Sequence, residues 1–346
     1  GARGFTAVTT YDASNDGGTT PSCVTCTITD PFRNGIQQPT GSSLGLLTGA
    51  GGDIHFVDQF RESAYIHQFS LDLQYELPKQ MVVTLGYIGA RGENLSVGGT
   101  DSNTVNINQL DPKYLSLGST LLERVPNPMY NHPEFGDFSL SPTIIRGQLL
   151  RPYPQFKHVY AHQVSAGYAR YNSLVAKFEK RLSRGWGANI NYTYSVRKDN
   201  IFGESNYFSS NPVPGALNNY DLDAEYGRSI IDAPHRLNIS GLYELPFGKG
   251  RRWLNRGGFV NVLLGGWSVS AIAGYQSGFP VMIVQDNSNS TDLFGNLQRP
   301  NIVAGVDPRT AGSTTDRVGS RNSWLNPDAW EAPADFIISC GFHRPG

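Results

Sequence analysis

The sequence predicts an all-β fold, an antiparallel transmembrane β-barrel portion with short turns on one rim and long loops on the other. Three observations carry this prediction: strands that alternate apolar and polar residues, connections that alternate between short and long, and aromatic residues at the ends of the apolar faces. The composition agrees, because charged residues are only 16% of the 346 residues, while glycine (39 residues) and aromatic residues (11%) are abundant.

The first strand pair has a two-residue period. Every second residue from Phe69 to Leu77 is apolar, and every intervening residue is polar. After the turn at 78–80, Met81 to Tyr87 continue the alternation. A strand with one apolar and one polar face is half-buried, and two such strands around a short turn predict a hairpin.

Two further strand pairs repeat the design. Residues 174–182 and 186–195 surround a turn at 183–185, although Lys180 interrupts the apolar face. Residues 237–245 and 267–275 form the third pair around a connection of about 20 residues. The period predicts one common face, directed into lipid, for twelve residues: Leu71, Leu73, Val83, Leu85, Leu174, Phe178, Ile190, Tyr192, Leu237, Ile239, Val269 and Ala271.

Connection lengths favour a membrane barrel over a soluble sandwich. The hairpins are closed by short turns, whereas an irregular stretch of about 80 residues (90–170) and one of 38 residues (197–234) join one hairpin to the next. All short connections therefore fall on one rim, which is typical of outer-membrane barrels. A sandwich rarely contains such a long loop between neighbouring strands.

Aromatic residues bracket the apolar faces. Trp186 and Trp267 follow the short connections, and Tyr194 and Tyr275 lie eight residues further along the same faces. Eight residues rise about 19 Å in a strand tilted by ~45°, slightly less than the ~25 Å apolar band between the two aromatic girdles of a barrel. The alternative is that these aromatics belong to the core of a sandwich.

Composition and charge exclude several classes of protein. The chain has 28 basic and 29 acidic residues and a net charge of −1, so it lacks the electrostatic footprint of a nucleic-acid-binding protein. No apolar run approaches the ~18 residues of a membrane-spanning helix. Residues 1–30 have no signal-peptide pattern and the chain begins at Gly1, so we expect a fragment.

Several motifs resemble TonB-dependent outer-membrane receptors of the Oar-like type, which carry a carboxypeptidase-regulatory-like domain. They run in order along most of the chain: Pro31-Phe-Arg-Asn-Gly35, Gly41-Ser-Ser-Leu-Gly45, residues 69–78 with 82–92, Tyr171-Asn-Ser-Leu174, Asp232-Ala-Pro-His-Arg236, Tyr243-Glu-Leu-Pro-Phe-Gly248 and Leu325-Asn-Pro-Asp-Ala-Trp330. Each motif is short, and only their order makes the resemblance specific.

The resemblance implies a barrel of about 22 strands, of which residues 1–346 are a part. It implies ligand uptake in the outer membrane, with outer-membrane lipid, an unknown ligand and the TonB complex as partners. The family's plug domain, TonB-contacting segment and closing aromatic strand find no counterpart in the sequence, so contact with TonB is expected through the missing plug region.

Chemical motifs are weak. Cys23 and Cys26 have C-x-x-C spacing and Cys340 is remote, so a local disulfide or free thiols are favoured over zinc or redox chemistry. Ser43 matches G-x-S-x-G without the strand and helix of a nucleophile elbow. His132, His158 and His162 lack paired metal-ligand spacing. We therefore expect no enzymatic activity and no cofactor.

One acidic loop is compatible with a cation. Asp221, Asp223 and Glu225 alternate in an extended segment and would offer oxygen ligands to Ca²⁺, but Tyr226 and Asp232 stand where an EF-hand needs glycine and glutamate. A solvated acidic loop is the favoured interpretation.

Binding is expected in the long loops, 91–170 and 197–234. They contain tyrosines whose amphipathic side chains could contact a ligand: Tyr130, Tyr153, Tyr160, Tyr207 and Tyr220. Three functions remain open at this point: a receptor that takes up a ligand, a structural or adhesive outer-membrane barrel, and a secreted soluble β-protein such as a glycan-binding module or hydrolase.

Overall fold

A computed structural model describes most of the chain. The described residues are 7, 27, 29, 30, 32, 35–98, 104–202, 215–255, 257–283, 299–308 and 326–336. They form two compact units: an insert unit from residues 1–56 and 106–161, and a sheet unit from residues 57–105 and 162–346. Cys23, Cys26, Cys340 and Tyr207 lie outside the described residues.

Strands dominate both units. In chain order they are β1 (Ile54–Val57), β2 (Tyr65–Leu77), β3 (Met81–Val97), β4 (Val105–Asn106), β5 (Arg124–Pro126), β6 (Thr143–Ile145), β7 (Val159–His162), β8 (Val164–Ser183), β9 (Trp186–Asp199), β10 (Gly227–Arg228), β11 (His235–Glu244), β12 (Ser268–Gln276), β13 (Asn301–Ile302) and β14 (Trp330–Glu331).

Helices are short. The α-helices are α1 (Arg146–Leu149) and α2 (Phe259–Leu264), and 3-10 helices occupy Gly45–Leu47, Pro112–Leu122, Pro133–Leu140, Asp223–Glu225 and Pro327–Ala329. No helix in the described ranges is long and apolar enough to cross a membrane.

The sheet unit contains an antiparallel meander. Its strands follow the order β12-β11-β9-β8-β3-β2, with β10 added beside the end of β9. The three predicted hairpins are confirmed as β2/β3, β8/β9 and β11/β12. Among the described residues the sheet is open, and β2 and β12 form its two edges.

The register confirms the predicted faces. Residues directly opposite one another on neighbouring strands share a face. One apolar row crosses all six strands: Leu73, Leu85, Ala176, Tyr192, Leu237 and Tyr275. The adjacent row is polar or small: Gln74, Thr84, Lys177, Asn191, Asn238 and Gly274. All twelve residues predicted to face lipid fall on the apolar side.

Turn chemistry fixes this register. The β8/β9 turn contains only Arg184 and Gly185, because Ser183 pairs with Trp186. Both turn residues have positive φ, of 55° and 86°, as a two-residue type I′ hairpin requires. Because side chains alternate, a slip of one residue here would turn the apolar row to the opposite face.

The insert unit corrects the expectation of an irregular loop over 90–170. Residues 91–97 continue β3, residues 164–170 begin β8, and the intervening chain contains β4 to β7, α1 and two of the 3-10 helices. Its small sheet has the order β1-β7-β4. Its buried apolar core includes Leu110, Leu121, Met129, Ile144, Phe156 and Tyr160.

Candidate ligand-binding segments

Buried amide side chains hold the insert unit together. Asn108 is fully buried, and its amide nitrogen donates to the carbonyls of Tyr153 (3.0 Å) and Phe156 (2.9 Å) while its oxygen accepts from the Tyr153 N–H (2.8 Å). Gln148 donates to the carbonyls of Pro154 (2.9 Å) and Phe156 (2.7 Å). These bonds replace the regular backbone pairing that the segment lacks, since buried carbonyls must find donors.

A close approach between the backbones of Gly51 and Phe135 also holds the insert unit together. Gly51 has φ +77°, and a Cβ placed on it would lie 2.1 Å from the Phe135 carbonyl oxygen. Only glycine fits there, because any side chain would both clash and be strained at that φ. The contact joins two stretches of the insert unit that are distant in sequence.

Four side chains cluster on the small sheet of the insert unit. His158 Nδ1 lies 2.8 Å from Asp53 Oδ1, and the His158 ring stacks on Tyr160 with centroids 5.3 Å apart. The centroid of the His55 ring also lies 5.0 Å from that of the Tyr160 ring. This cluster joins residues 105 positions apart in the chain, so no local spacing could have revealed it.

Burial sets the protonation of this cluster. Desolvation lowers the pKa of His158, and the hydrogen bond to Asp53 opposes that effect only in part. Desolvation also raises the pKa of Tyr160 to about 12, assisted by the charge of Asp53. Both shifts favour the neutral forms of the His158 and Tyr160 side chains.

The second predicted segment, 197–234, is anchored to the end of β9. Asp232 is buried, accepts from the Arg197 N–H (3.0 Å) and pairs with the Arg228 guanidinium (2.8 Å). The Ser229 N–H donates to the Arg197 carbonyl (3.0 Å). Charge-assisted bonds thus hold the described end of this loop against the strand.

Two carboxylates of the acidic loop have partners within the protein. Glu225 is buried and pairs with Arg299 at 2.5 Å, while its other oxygen accepts from the Leu217 N–H (2.9 Å). Asp221 accepts from the Ala224 N–H (3.2 Å). Among the described residues no group of three His, Cys, Asp or Glu side chains is placed to hold a metal ion. The structure therefore does not bring these three carboxylates together.

The remaining predicted residues stay apart. The Ser43 hydroxyl donates to the Thr40 carbonyl (2.6 Å) in a bend before a three-residue 3-10 helix, a setting unlike a nucleophile elbow. His132 lies 3.5 Å from Glu134 at the surface. His162 accepts a backbone hydrogen bond from Asp58 at its carbonyl (2.9 Å). No described neighbour activates Ser43 as a base would.

The tyrosines divide into two sets. Tyr130, Tyr153 and Tyr220 are exposed, as expected for recognition residues. The expectation for Tyr160 is wrong, because it is only 3% exposed and its ring packs between two histidines. The sequence around Tyr160 resembles that of the loop tyrosines and does not indicate that Tyr160 belongs to the short buried strand β7.

Sequence reasoning missed a hollow on the polar face of the large sheet. A cavity of about 500 Å³ lies where Ala90, Gly92 and Ala169 leave room. Gln68, Tyr171 and Arg197 provide its polar groups, and Ile66, Leu95 and Ile201 complete the wall. The small residues are the sequence signal of this hollow, but they fit an ordinary strand equally well.

The comparisons with known proteins decide the family. A family model for an outer membrane beta barrel domain matches residues 2–342. The chain belongs to this family. A search of curated proteins and a search of solved structures found no match. The protein is therefore an outer-membrane β-barrel protein, and the apolar row of its sheet is the lipid-facing surface.

Family membership orients the candidate segments. In outer-membrane barrels the short turns are periplasmic and the long connections extracellular. The turns at 78–80 and 184–185 therefore mark the periplasmic rim of the barrel, and the chain leaves and re-enters the sheet between β3 and β8 at the extracellular rim. The polar face with its cavity lines the barrel interior.

Proposed function

We propose that this barrel belongs to a TonB-dependent receptor of the Oar-like type, which takes up a ligand captured on its extracellular side. The observation that carries the proposal is the folded insert between β3 and β8. A connection of this size, ordered by buried amides such as Asn108, offers a preorganised surface for a ligand and does more than connect two strands. Preorganisation favours binding because less entropy is lost.

The ordered motifs and the interior hollow support the same proposal. Some of the sequence motifs that resemble these receptors fall on strands of the sheet, as at Tyr171-Asn-Ser-Leu174 in β8. The hollow beside Arg197 and Tyr171 offers polar groups to a solute that enters from the extracellular rim. Exposed Tyr130, Tyr153 and Tyr220 supply aromatic contact surface.

We propose no catalytic role for the chain. The proposal is supported by the separation of the candidate groups, since the Ser43 hydroxyl donates to the Thr40 carbonyl and His132 lies beside Glu134 at the surface. Hydrolysis needs a nucleophile, a base and an orienting group in contact. A hydrolase activity that a Ser43→Ala change removes would contradict this proposal.

Uptake can be tested without knowing the ligand. Cells that express the full-length receptor are incubated in a complex growth medium, and depletion of its small molecules is followed by mass spectrometry. We expect at least one compound to be depleted only when the receptor, TonB and an energised membrane are all present. Deleting residues 107–156 within the insert unit should abolish this depletion.

The controls separate transport from a structural role. The deletion variant must keep its heat-modifiable mobility on gels, which reports a folded barrel. Depletion that persists without TonB would contradict TonB dependence. If no compound depends on the receptor, while cell-surface adhesion or envelope integrity is lost with the gene, the protein is an adhesive or structural barrel.

A further inference from the structure

Four basic residues form one row across the large sheet. His67 lies opposite Arg91, Arg91 opposite Arg170, and Arg170 opposite Lys198. Directly opposed residues of antiparallel strands are about 4.5–5.5 Å apart at Cα, so this basic row spans roughly 15 Å. In the sequence these residues are far apart, and only the register brings them together.

The basic row continues the lipid-facing surface. His67 stands two residues before Phe69 and four before Leu71, so it shares their face of β2. Arg170 stands in the same relation to Leu174 of β8. Arg91 and Arg170 are exposed. The four side chains therefore point outward from the barrel, above its apolar band.

The depth of the basic row matches the lipid headgroups. Trp186 marks the periplasmic girdle, and Lys198 lies twelve residues further along β9. Twelve residues at ~3.3 Å and a tilt of ~45° rise about 28 Å, just beyond the apolar band of ~25 Å. Tyr194, on the same face, lies four residues below Lys198, just inside that band. The basic row therefore faces the outer-leaflet headgroups.

Carboxylates of the described residues do not form ion pairs with the row. In the described part of the chain no carboxylate forms an ion pair with His67, Arg91, Arg170 or Lys198. The row extends to Arg228, opposite Lys198, but Asp232 pairs with that guanidinium. Glu93 follows Arg91 on the same face without an ion pair to it. Like charges directly opposite one another destabilise a sheet unless an anion joins them.

We propose that the basic row binds the phosphate groups of the outer-leaflet glycolipid, lipopolysaccharide. Arg91 and Arg170 each offer a planar fork of donors that matches a phosphate. The acyl chains of the same lipid lie along the apolar rows below, beside Leu71 and Leu174, which are 75% and 56% exposed. One lipid thus satisfies both the charged row and the apolar surface beneath it.

The test compares two double variants of the protein assembled in bacterial outer membranes and extracted in mild detergent. Arg91→Gln/Arg170→Gln removes the centre of the row. Lys177→Gln/Arg236→Gln removes two exposed charges from the polar face of the same sheet. Bound lipopolysaccharide is counted by native mass spectrometry and titrated. We expect the first variant to bind about thirtyfold more weakly than wild type, and the second to bind normally.

A second measurement does not depend on the variants. The wild-type protein is titrated with lipopolysaccharide whose phosphates have been removed, and we expect this lipid to bind at least tenfold more weakly than the native lipid. Equal binding of the two lipids would overturn the proposal. So would normal binding by a folded Arg91→Gln/Arg170→Gln variant, or equal losses in both double variants. If that variant fails to fold, the titration of the wild-type protein with dephosphorylated lipopolysaccharide tests the proposal.

Discussion

Lys180 interrupts the apolar face of β8, and its surroundings explain why the barrel tolerates it. Its Nζ donates to the carbonyls of Ser183 and Trp186, both at 3.0 Å, and to the Ser183 hydroxyl at 2.9 Å. The ammonium also lies 4.3 Å from the Trp186 ring. The long aliphatic stem covers lipid-facing surface while the charge reaches the turn at the periplasmic rim.

A Lys180→Met change tests this role. The thioether keeps the apolar stem but leaves the turn carbonyls without their charged donor, so we expect a loss of about 1.5–3 kcal/mol in the free energy of unfolding. Urea unfolding in lipid vesicles measures the loss. Lys177→Met, on the polar face of the same strand, is the matched control. Equal effects of the two changes would contradict the role assigned to Lys180.

The insert unit should lose stability on acidification. The folded state lowers the pKa of His158 below its usual value near 6.5. The unfolded chain therefore binds the proton more readily, so stability present above about pH 6.5 is lost as the pH falls toward the folded pKa. The protection factor of the Val159 amide, which is its exchange rate corrected for the intrinsic pH dependence of exchange, should therefore fall between pH 7.5 and 5.5.

A His158→Gln change should remove this pH dependence. His132→Gln is the control, since His132 is exposed and lies outside the cluster with Asp53. If the protection factor of the Val159 amide still falls on acidification in the His158 variant, another group governs the acid response. Arg151 and Lys157 are cationic neighbours that act on His158 in the same direction as burial.

The Glu225–Arg299 pair should govern the stability of the described part of the 197–234 loop. Both side chains are 1% exposed, so Glu225→Gln leaves a buried guanidinium without its counter-charge. We expect a local cost of about 3–5 kcal/mol. Limited proteolysis within 215–234 should become faster in this variant and remain unchanged in Asp223→Asn. Unchanged cleavage in both variants would show that the pair does not hold the loop.

At the scale of elements, the hairpins could be predicted and the insert could not. A two-residue period of apolar and polar residues predicts the six long strands, β2, β3, β8, β9, β11 and β12. The same period determines which residues share a face. The insert unit has no period, because its order depends on buried amides such as Asn108 and on contacts such as that of Asp53 with His158. The same holds for Arg299, whose partner lies 74 residues away.

The face assignment of β3 predicts opposite outcomes for two neighbouring residues. Leu85 faces lipid near the centre of the band, so Leu85→Lys should cost about 2–4 kcal/mol of stability in a bilayer. Thr84 faces the interior, and Thr84→Lys should be nearly neutral. The folded fraction in vesicles, measured by heat-modifiable mobility, distinguishes them. Greater damage from Thr84→Lys would reverse the assignment.

The open sheet predicts how the whole chain behaves outside a membrane. Strands β2 and β12 expose the edges of the described sheet, and its apolar face carries exposed residues such as Leu73 and Val269. Free edges and apolar surface promote association. Light scattering should therefore show aggregates without detergent. A monodisperse, detergent-free monomer of 37.9 kDa would contradict this prediction.

The insert unit also constrains the order in which the protein assembles. Its two stretches, 1–56 and 106–161, are separated in the chain by the whole β2/β3 hairpin. The hairpin can close from contacts only a few residues apart, whereas the approach of Asp53 to His158 closes a loop of about a hundred residues. Non-local contacts of this kind form slowly. The insert unit should therefore mature last, after the hairpin has already entered the membrane.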